Sequence, residues 1–188
     1  MVQTPIKPIT LTDFLQLPET KPANEYIDGQ IVQKPMPKTD HGILQTDLAA
    51  AITACLRPNK IGRAITELRC TFEGRSIVPD ITVLPWHEIP RRDNGKALAA
   101  ELFVAPSWMI EILSSGQNQT KVVEKILYSL EHGTQMGWLI DPSEECVFVY
   151  TADSKVRLYQ KVEQPLPVPS FAKDFELTVG SLISWLYE

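Results

Sequence analysis

Two apolar runs that each enclose a single acidic residue constrain the fold of this chain most strongly. The first run spans residues 76–84 and contains Asp80, and the second spans residues 107–113 and contains Glu111. Runs this apolar predict buried strands. A carboxylate inside such a strand is costly to bury unless it is paired, protonated or bound to a cation. If the two strands are neighbours, the two carboxylates form a candidate site for a hard divalent metal ion.

Other interpretations of these two acids remain open at this point. Asp80 could end a strand or cap a turn, and Glu111 could pair with Arg69 or Lys125. A glutamate between two isoleucines is harder to explain than an exposed glutamate. The pattern alone therefore leaves the metal-site and the structural interpretations evenly balanced.

A lysine on the helix that follows the second run could complete the candidate site. The spacing of Lys121, Lys125, Tyr128 and His132 places them on one face of the helix predicted over residues 121–131 and the residue after it. A solvated cationic face is the alternative interpretation of that spacing. The opposite, apolar face is predicted to contain Val123, Ile126, Leu127 and Leu130.

The chemistry of such a cluster is that of phosphodiester hydrolysis. Mg²⁺ and Mn²⁺ prefer oxygen ligands and keep several waters, so Asp80, Glu111 and substrate phosphate oxygens could complete the coordination. The metal would polarise the phosphate and lower the pKa of a bound water. The ammonium of Lys125 would stabilise the negative charge that develops in the transition state.

Length and charge limit the classes of function. With 188 residues the chain is long enough for one domain with a real core, so residues 1–188 are predicted to form a single domain with a loose arm at residues 1–10. The net charge is −5 and the isoelectric point is near 5.3. A protein that binds nucleic acid with its whole surface is usually basic. Contact with nucleic acid is therefore expected through a local groove or a metal ion.

The cysteines and the apolar segments indicate a cytoplasmic protein. Cys55, Cys70 and Cys146 are odd in number, match no zinc spacing and lie among apolar neighbours, so they are predicted to be reduced core residues. No segment reaches the roughly 18 to 20 apolar residues that span a bilayer, and the N-terminus lacks the apolar region of a signal peptide. No association with a membrane is expected.

The predicted elements alternate in a way that indicates an α/β (mixed α+β) fold with a mixed sheet and few helices. Asp28 and Gly29 lie between alternating apolar residues and predict a hairpin, because both turn positions require positive φ. Residues 85–105 are predicted to form a long exposed loop with a helical turn at 96–101. Helices are predicted at 10–17, 40–56, 121–131 and 181–187, an N-terminal hairpin at 25–32, strands at 61–72, 77–84, 108–113 and 137–140, and a C-terminal hairpin from 146–150 and 156–160.

Four blocks of sequence, in this order and spacing, resemble the Uma-two family. These are bacterial endonuclease-like proteins of the PD-(D/E)xK nuclease superfamily. The hairpin that begins with Glu25 and the helix that begins near His41 also resemble the family, so the likeness covers nearly the whole chain. The four blocks are Val78-Pro79-Asp80-Ile81, residues 109–115 (MIEILSS), Lys125-Ile126-Leu127-Tyr128, and residues 133–142, which end in Leu139-Ile140-Asp141-Pro142.

This resemblance implies a fold and a set of site residues. The fold is a restriction-endonuclease-like core, in which helices flank a central mixed sheet and the site lies at the edge of the sheet. Asp80 and Glu111 are implied as ligands of Mg (or Mn). The superfamily usually has its lysine two residues after the glutamate, where this chain has Leu113. The resemblance therefore implies Lys125, from the following helix, as the third catalytic residue.

Two further residues match family positions near the same site. Glu25 and His41 are expected to support the metal or a water, with a hairpin hydrogen bond and a helix start as the alternatives. Two departures from the family pattern affect the expected electrostatics of the site. Lys121 stands where members often have an acidic residue, and the loop from Ser114 to Gln117 lacks the usual proline.

The sequence predicts a Mg-dependent endonuclease that acts on nucleic acid, with DNA as the expected substrate and a homodimer as the expected assembly. A catalytically silent nuclease-fold module that binds nucleic acid or a protein is the alternative. A third interpretation is a structural dimer partner that assembles through the loop of Trp86 and Pro90. No serine-hydrolase triad, glycine-rich phosphate loop or zinc signature is apparent in the sequence.

Overall fold

A computed structural model describes residues 9–98 and 101–188 of the chain. Within these ranges, two sheets and four α-helices form the fold. The helices are α1 (Leu11–Leu15), α2 (Thr39–Leu56), α3 (Gln119–Glu131) and α4 (Val179–Ser184), and the strands are β1 (Asn24–Ile27), β2 (Gln30–Gln33), β3 (Gly62–Thr66), β4 (Cys70–Phe72), β5 (Arg75–Ile77), β6 (Ile81–Pro85), β7 (Trp108–Ile112), β8 (Met136–Asp141), β9 (Cys146–Thr151) and β10 (Val156–Tyr159).

The central sheet is mixed, as the sequence predicts. Its six strands follow the order β10-β9-β8-β7-β6-β3. β7 and β8 run parallel and are joined through α3, whereas the other neighbouring pairs are antiparallel. A smaller antiparallel sheet has the order β2-β1-β5-β4. The predicted N-terminal and C-terminal hairpins are the pairs β1–β2 and β9–β10.

Helices cover both faces of the central sheet. α2 and α4 pack on one face, where Leu48 and Ile52 join a core that includes Ile110 and Ile112 of β7. On the opposite face α3 packs through Ile126 in a core that includes Met109 of β7 and residues of the small sheet. Side chains alternate between the faces of a strand. The residue between Ile110 and Ile112 must therefore face α3, and that residue is Glu111.

Local sequence explains the elements that were predicted well. Thr10 caps α1 with its side chain and forms a capping box with Asp13. Asp28 and Gly29 have φ of 50° and 80°, as the hairpin turn requires. The three cysteines are free thiols, with Cys70 and Cys146 buried and Cys55 half-buried.

Two predicted strands are each split in the structure. The segment 61–72 forms β3 and β4, which belong to different sheets, with a turn between them at Glu67, whose φ is 51°. The segment 77–84 is interrupted at Val78-Pro79-Asp80, between β5 of the small sheet and β6 of the central one. Pro79 has no N–H to donate to a strand ladder. Asp80 therefore lies at the junction of the two sheets rather than inside a strand.

The segment 85–105 is only partly the exposed loop that was predicted. It begins with a short 3-10 helix, Trp86–Glu88, and Ile89 and Leu102 are buried. Leu102 exchanges backbone hydrogen bonds with the start of β4, which draws the segment onto the core. Of the helical turn predicted at 96–101, residues 99 and 100 lie outside the described residues, and Ala97 forms an isolated bridge with Arg91.

The buried face of α3 also differs from the prediction. Leu127, predicted to be buried, is exposed, and Ile126 packs over Gly137 of β8, where a side chain on the strand would collide with it. The helix is turned so that a lysine and a serine lie inside. The buried residues of α3 are Val122, Lys125, Ile126 and Ser129. Among the described residues, no helix is long and apolar enough to cross a membrane.

Two glycines give opposite predictions for stability. A Cβ at Gly62 would lie 2.6 Å from the carbonyl oxygen of Leu84 in the paired strand β6, and backbone cannot move away cheaply. We expect Gly62→Ala to lower the free energy of unfolding by about 1–3 kcal/mol. Gly42→Ala is the matched control, because the site in α2 has open space and alanine should stabilise a helix by about 0.5–1 kcal/mol. Urea denaturation measures the change in the free energy of unfolding for both variants. Equal changes would contradict the register that places Gly62 of β3 against Leu84 of β6.

Candidate active site

The register between β6 and β7 brings the two predicted acids together. Ile81 pairs with Ile110 in this antiparallel ladder, so the next position in the same register places Asp80 beside Glu111. Oδ2 of Asp80 accepts a hydrogen bond from the backbone N–H of Ile112 at 2.8 Å. Both side chains are buried. β6 and β7 are interior strands of the sheet, and the two acids lie at the end of the sheet where β6 begins and β7 ends.

Lys125 reaches the same place from α3. Its Nζ lies 2.9 Å from Oε1 of Glu111 and 2.9 Å from Oε1 of Glu25, and its side chain is buried. The solvated-face interpretation of Lys125 is therefore wrong. Glu111 pairs with Lys125 and not with Arg69, which binds Glu19 instead. Lys125 thus supplies its ammonium from the same sheet face toward which Glu111 points.

Glu25 connects the small sheet to this cluster. Its Oε1 accepts hydrogen bonds from Lys125 and, at 2.8 Å, from the backbone N–H of Val78. One carboxylate oxygen of β1 therefore holds both the lysine and the segment that leads into Asp80. The hydrogen bonds of Glu25 extend beyond its own hairpin.

His41 approaches Asp80 from the first turn of α2. Its Nε2 lies 3.5 Å from Oδ1 of Asp80, and its Nδ1 shares a hydrogen bond of 3.1 Å with Oγ of Ser114. The ring is buried. All five residues singled out in the sequence therefore lie in one cluster. Lys121 lies outside it, because its side chain is exposed and pairs with Glu124.

Sequence reasoning missed Lys34, which follows β2. Its Nζ lies 2.7 Å from Oδ1 of Asp80, 2.8 Å from the carbonyl oxygen of Val78 and 3.1 Å from Oε1 of Glu67. A single lysine in a proline-rich connection carries no periodic signal. Only charge balance could have indicated it, because two buried acids need more than one cation.

A cavity of about 500 Å³ opens onto one side of this cluster. Asp80, His41 and Lys34 line its wall, whereas Glu111 and Lys125 are not among the residues that line it. Two proline-containing segments, residues 19–23 and 34–37, also line the cavity. A ligand that enters the cavity meets the Asp80 side of the cluster first.

Burial and the neighbouring charges move the pKa values of the acids in opposite directions. Burial tends to raise the pKa of Asp80, but the hydrogen bond from His41 and the charge of Lys34 outweigh it and lower that pKa. Burial raises the pKa of Glu111 to about 8, against the opposing charge of Lys125. For Lys125, burial opposes the charged form, but Glu111 and Glu25 outweigh it and raise the pKa. The lysine is therefore a permanent cation.

The donor set fits a hard divalent cation with few protein ligands. Among the described residues, no group of three or more His, Cys, Asp or Glu side chains is arranged to hold a metal. Two carboxylates suffice for Mg²⁺ or Mn²⁺, which retain waters. Oε1 of Glu111 is buried and receives no hydrogen bond from a described residue, although the ammonium of Lys125 lies at ion-pair distance. The two adjacent buried carboxyl groups of Asp80 and Glu111 are the observation that fits a cation.

Removal of Lys125 should destabilise the fold. Lys125→Met leaves Glu25 and Glu111 buried without their shared cation, so we expect the free energy of unfolding to fall by about 3–5 kcal/mol. Lys121→Met on the exposed face of the same helix is the control, with an expected change within about 0.5 kcal/mol. Chemical denaturation of both variants checks this, and similar small effects would show that the buried ion pairs do not stabilise the chain.

Comparison with known proteins identifies the family. The family model Uma2, described as "Putative restriction endonuclease", matches residues 11–180. A crystal structure from Anabaena variabilis, described as "a putative nuclease belonging to DUF820", is 50% identical to this chain with a TM-score of 0.92. The alignment covers 95% of this chain and 99% of that chain. The search of curated proteins found no match. The chain therefore belongs to the Uma2 family, and its restriction-endonuclease-like fold and its solved relative both support a nuclease function.

Proposed function

We propose that this protein is a metal-dependent endonuclease that hydrolyses phosphodiester bonds of nucleic acid, with DNA as the substrate. The observation that carries the proposal is the meeting of Asp80, just before β6, with Glu111 of β7 and Lys125 of α3 in one cluster, whose Asp80 side opens onto a cavity. In this proposal residues 1–188 act as one nuclease domain. The family description, which names a restriction endonuclease, supports DNA over RNA.

The proposed ligands are the carboxylates of Asp80 and Glu111, and the proposed metal is Mg (or Mn). Restriction-endonuclease-like proteins generally use divalent metals. A bound cation supplies Lewis-acid activation of the phosphate and a more acidic water. Asp80 enters this role ionised, because its lowered pKa keeps it a carboxylate at neutral pH.

Lys125 has an electrostatic role in this proposal. Its raised pKa makes it a poor base, so it stabilises negative charge on the phosphate and does not take a proton from water. Glu25 acts as a positioning residue, because it holds the ammonium of Lys125 and the Val78 backbone at once. His41 positions Asp80 in the same way, from α2.

Assembly and location complete the proposal. A two-fold dimer would present two sites to the two strands of a duplex. The three free thiols support a reducing compartment, so we place the protein in the cytoplasm.

Cleavage and metal binding test the proposed function together. Asp80→Asn and Glu111→Gln should lose Mn²⁺ binding in calorimetry and lose at least about 100-fold in DNA cleavage. Lys125→Met should lose cleavage by a similar factor, with circular dichroism used to show that the variant is folded. Duplex DNA, single-stranded DNA and RNA are compared in the same assay.

Asp153→Asn is the control, because this exposed carboxylate lies in the turn between β9 and β10 and outside the cluster. Its Mn²⁺ affinity and cleavage rate should match those of the wild type. Mn²⁺ binding without cleavage of any nucleic acid would favour the silent module instead. Absence of both would refute the proposed site.

The dimer makes a separate prediction. Sedimentation at micromolar concentration should give about twice the chain mass of 21.2 kDa. A species of one chain mass that cleaves both strands of a duplex would contradict the proposed two-fold assembly.

A further inference from the structure

The two carboxylate oxygens of Asp80 have different surroundings. Oδ2 faces into the sheet and accepts a hydrogen bond from the backbone N–H of Ile112 at 2.8 Å. This hydrogen bond from the backbone of β7 holds Oδ2 in place. Oδ1 faces the cavity side, where Nζ of Lys34 lies at 2.7 Å and Nε2 of His41 at 3.5 Å. Oδ1 is thus the oxygen that remains for a cation, and an ammonium already lies against it.

Lys34 is well placed to leave Asp80 without losing its other partners. The same Nζ lies 3.1 Å and 3.3 Å from the two carboxylate oxygens of Glu67 and 2.8 Å from the carbonyl oxygen of Val78. Glu67 is held in turn by Nε2 of Gln45 at 3.0 Å. A small shift of the ammonium toward Glu67 would uncover Oδ1 while the lysine keeps an ion pair.

The charges of the cluster favour such an exchange. Asp80, Glu111 and Glu25 are buried carboxylates, and within the described residues Lys125 is the ammonium that Glu111 and Glu25 share. Lys34 is the ammonium on Asp80. Without a metal, an unpaired Asp80 would be a buried uncompensated charge, which is strongly destabilising. A divalent cation beside Asp80 would repel Lys34, because like charges a few ångströms apart interact strongly in a poorly solvated site.

We propose that Lys34 is a built-in substitute cation, which occupies the metal position on Asp80 Oδ1 in the metal-free protein and moves to Glu67 when a divalent cation binds. The inference rests on the proposed function, since it assumes the metal site at Asp80 and Glu111. It adds that Lys34 pairs with Asp80 and keeps the fold intact without metal, at the cost of weaker metal affinity. Lys34 is a positioning residue in this scheme.

Mn²⁺ binding to the metal-free protein tests the proposal without reference to activity. Lys34→Met should bind Mn²⁺ about tenfold more tightly than the wild type, because the competing charge is gone. Lys38→Met is the matched control. It removes an exposed lysine from the same connection between β2 and α2, and its affinity should stay within about twofold of the wild type.

A second variant keeps the test decisive if Lys34→Met does not fold. Glu67→Gln changes a side chain that is 46% exposed, so the fold should tolerate it. It removes the acceptor to which Lys34 would move, and we expect Mn²⁺ affinity to fall about fivefold. In the Lys34→Met background the same change should have a smaller effect, as for two residues that act through one another.

The outcomes separate this inference from the proposed function. Wild-type affinity in Lys34→Met or in Glu67→Gln, or equal effects of Glu67→Gln in both backgrounds, would overturn the exchange while Mn²⁺ binding by the wild type upholds the metal site. Mn²⁺ binding by Lys34→Met but not by the wild type would also support the exchange, because Lys34 would then block the metal site completely. Absence of Mn²⁺ binding in the wild type and in both variants would overturn the exchange and the metal site together.

Discussion

The compensation of two adjacent buried carboxylates organises this structure. Asp80 and Glu111 lie side by side where β6 begins and β7 ends, and each has an ammonium within 3 Å. Removal of one partner from a buried ion pair leaves a charge that the interior cannot solvate. The elements that carry the two lysines must therefore meet the end of the sheet. The orientation of α3 and the path of the connection after β2 both follow from this constraint.

The small sheet contributes Glu25 to the same cluster of charged residues. Glu25 of β1 binds the ammonium of Lys125 and the backbone of Val78, so this sheet is tied to α3 and to the segment that leads into Asp80. The pairing of β1 with β5 orders the backbone just before that contact. The site is thus built at the junction of two sheets and two helices. Its cavity opens on the side of Lys34 and His41, which makes that side the route of approach in the proposed reaction.

Sequence patterns predicted elements well where a local rule decides the structure. The hairpin at Asp28-Gly29 and the capped helix at Thr10 depend on backbone conformation and on hydrogen bonds within a few residues. The patterns gave wrong predictions where ion pairs between residues distant in the sequence determine which side chains are buried. The apolar stripe of α3 predicted Leu127 inside, yet the helix turns Lys125 inward to meet Glu111 and Glu25. The interruption of the predicted strand 77–84 at Pro79 was also missed, because an apolar run does not show which sheet each half of it will join.

The sequence by itself determined most of the elements and their order, and its motifs pointed to Asp80, Glu111 and Lys125 as candidates. Those properties depend on residue type and short spacing, which a linear chain displays directly. Only the tertiary structure decided that Lys34 lies on Asp80 and that Glu25 shares an oxygen between Val78 and Lys125. These contacts join residues 46, 53 and 100 positions apart. Their partners are selected by strand register and by the need to neutralise buried charge, which no local pattern records.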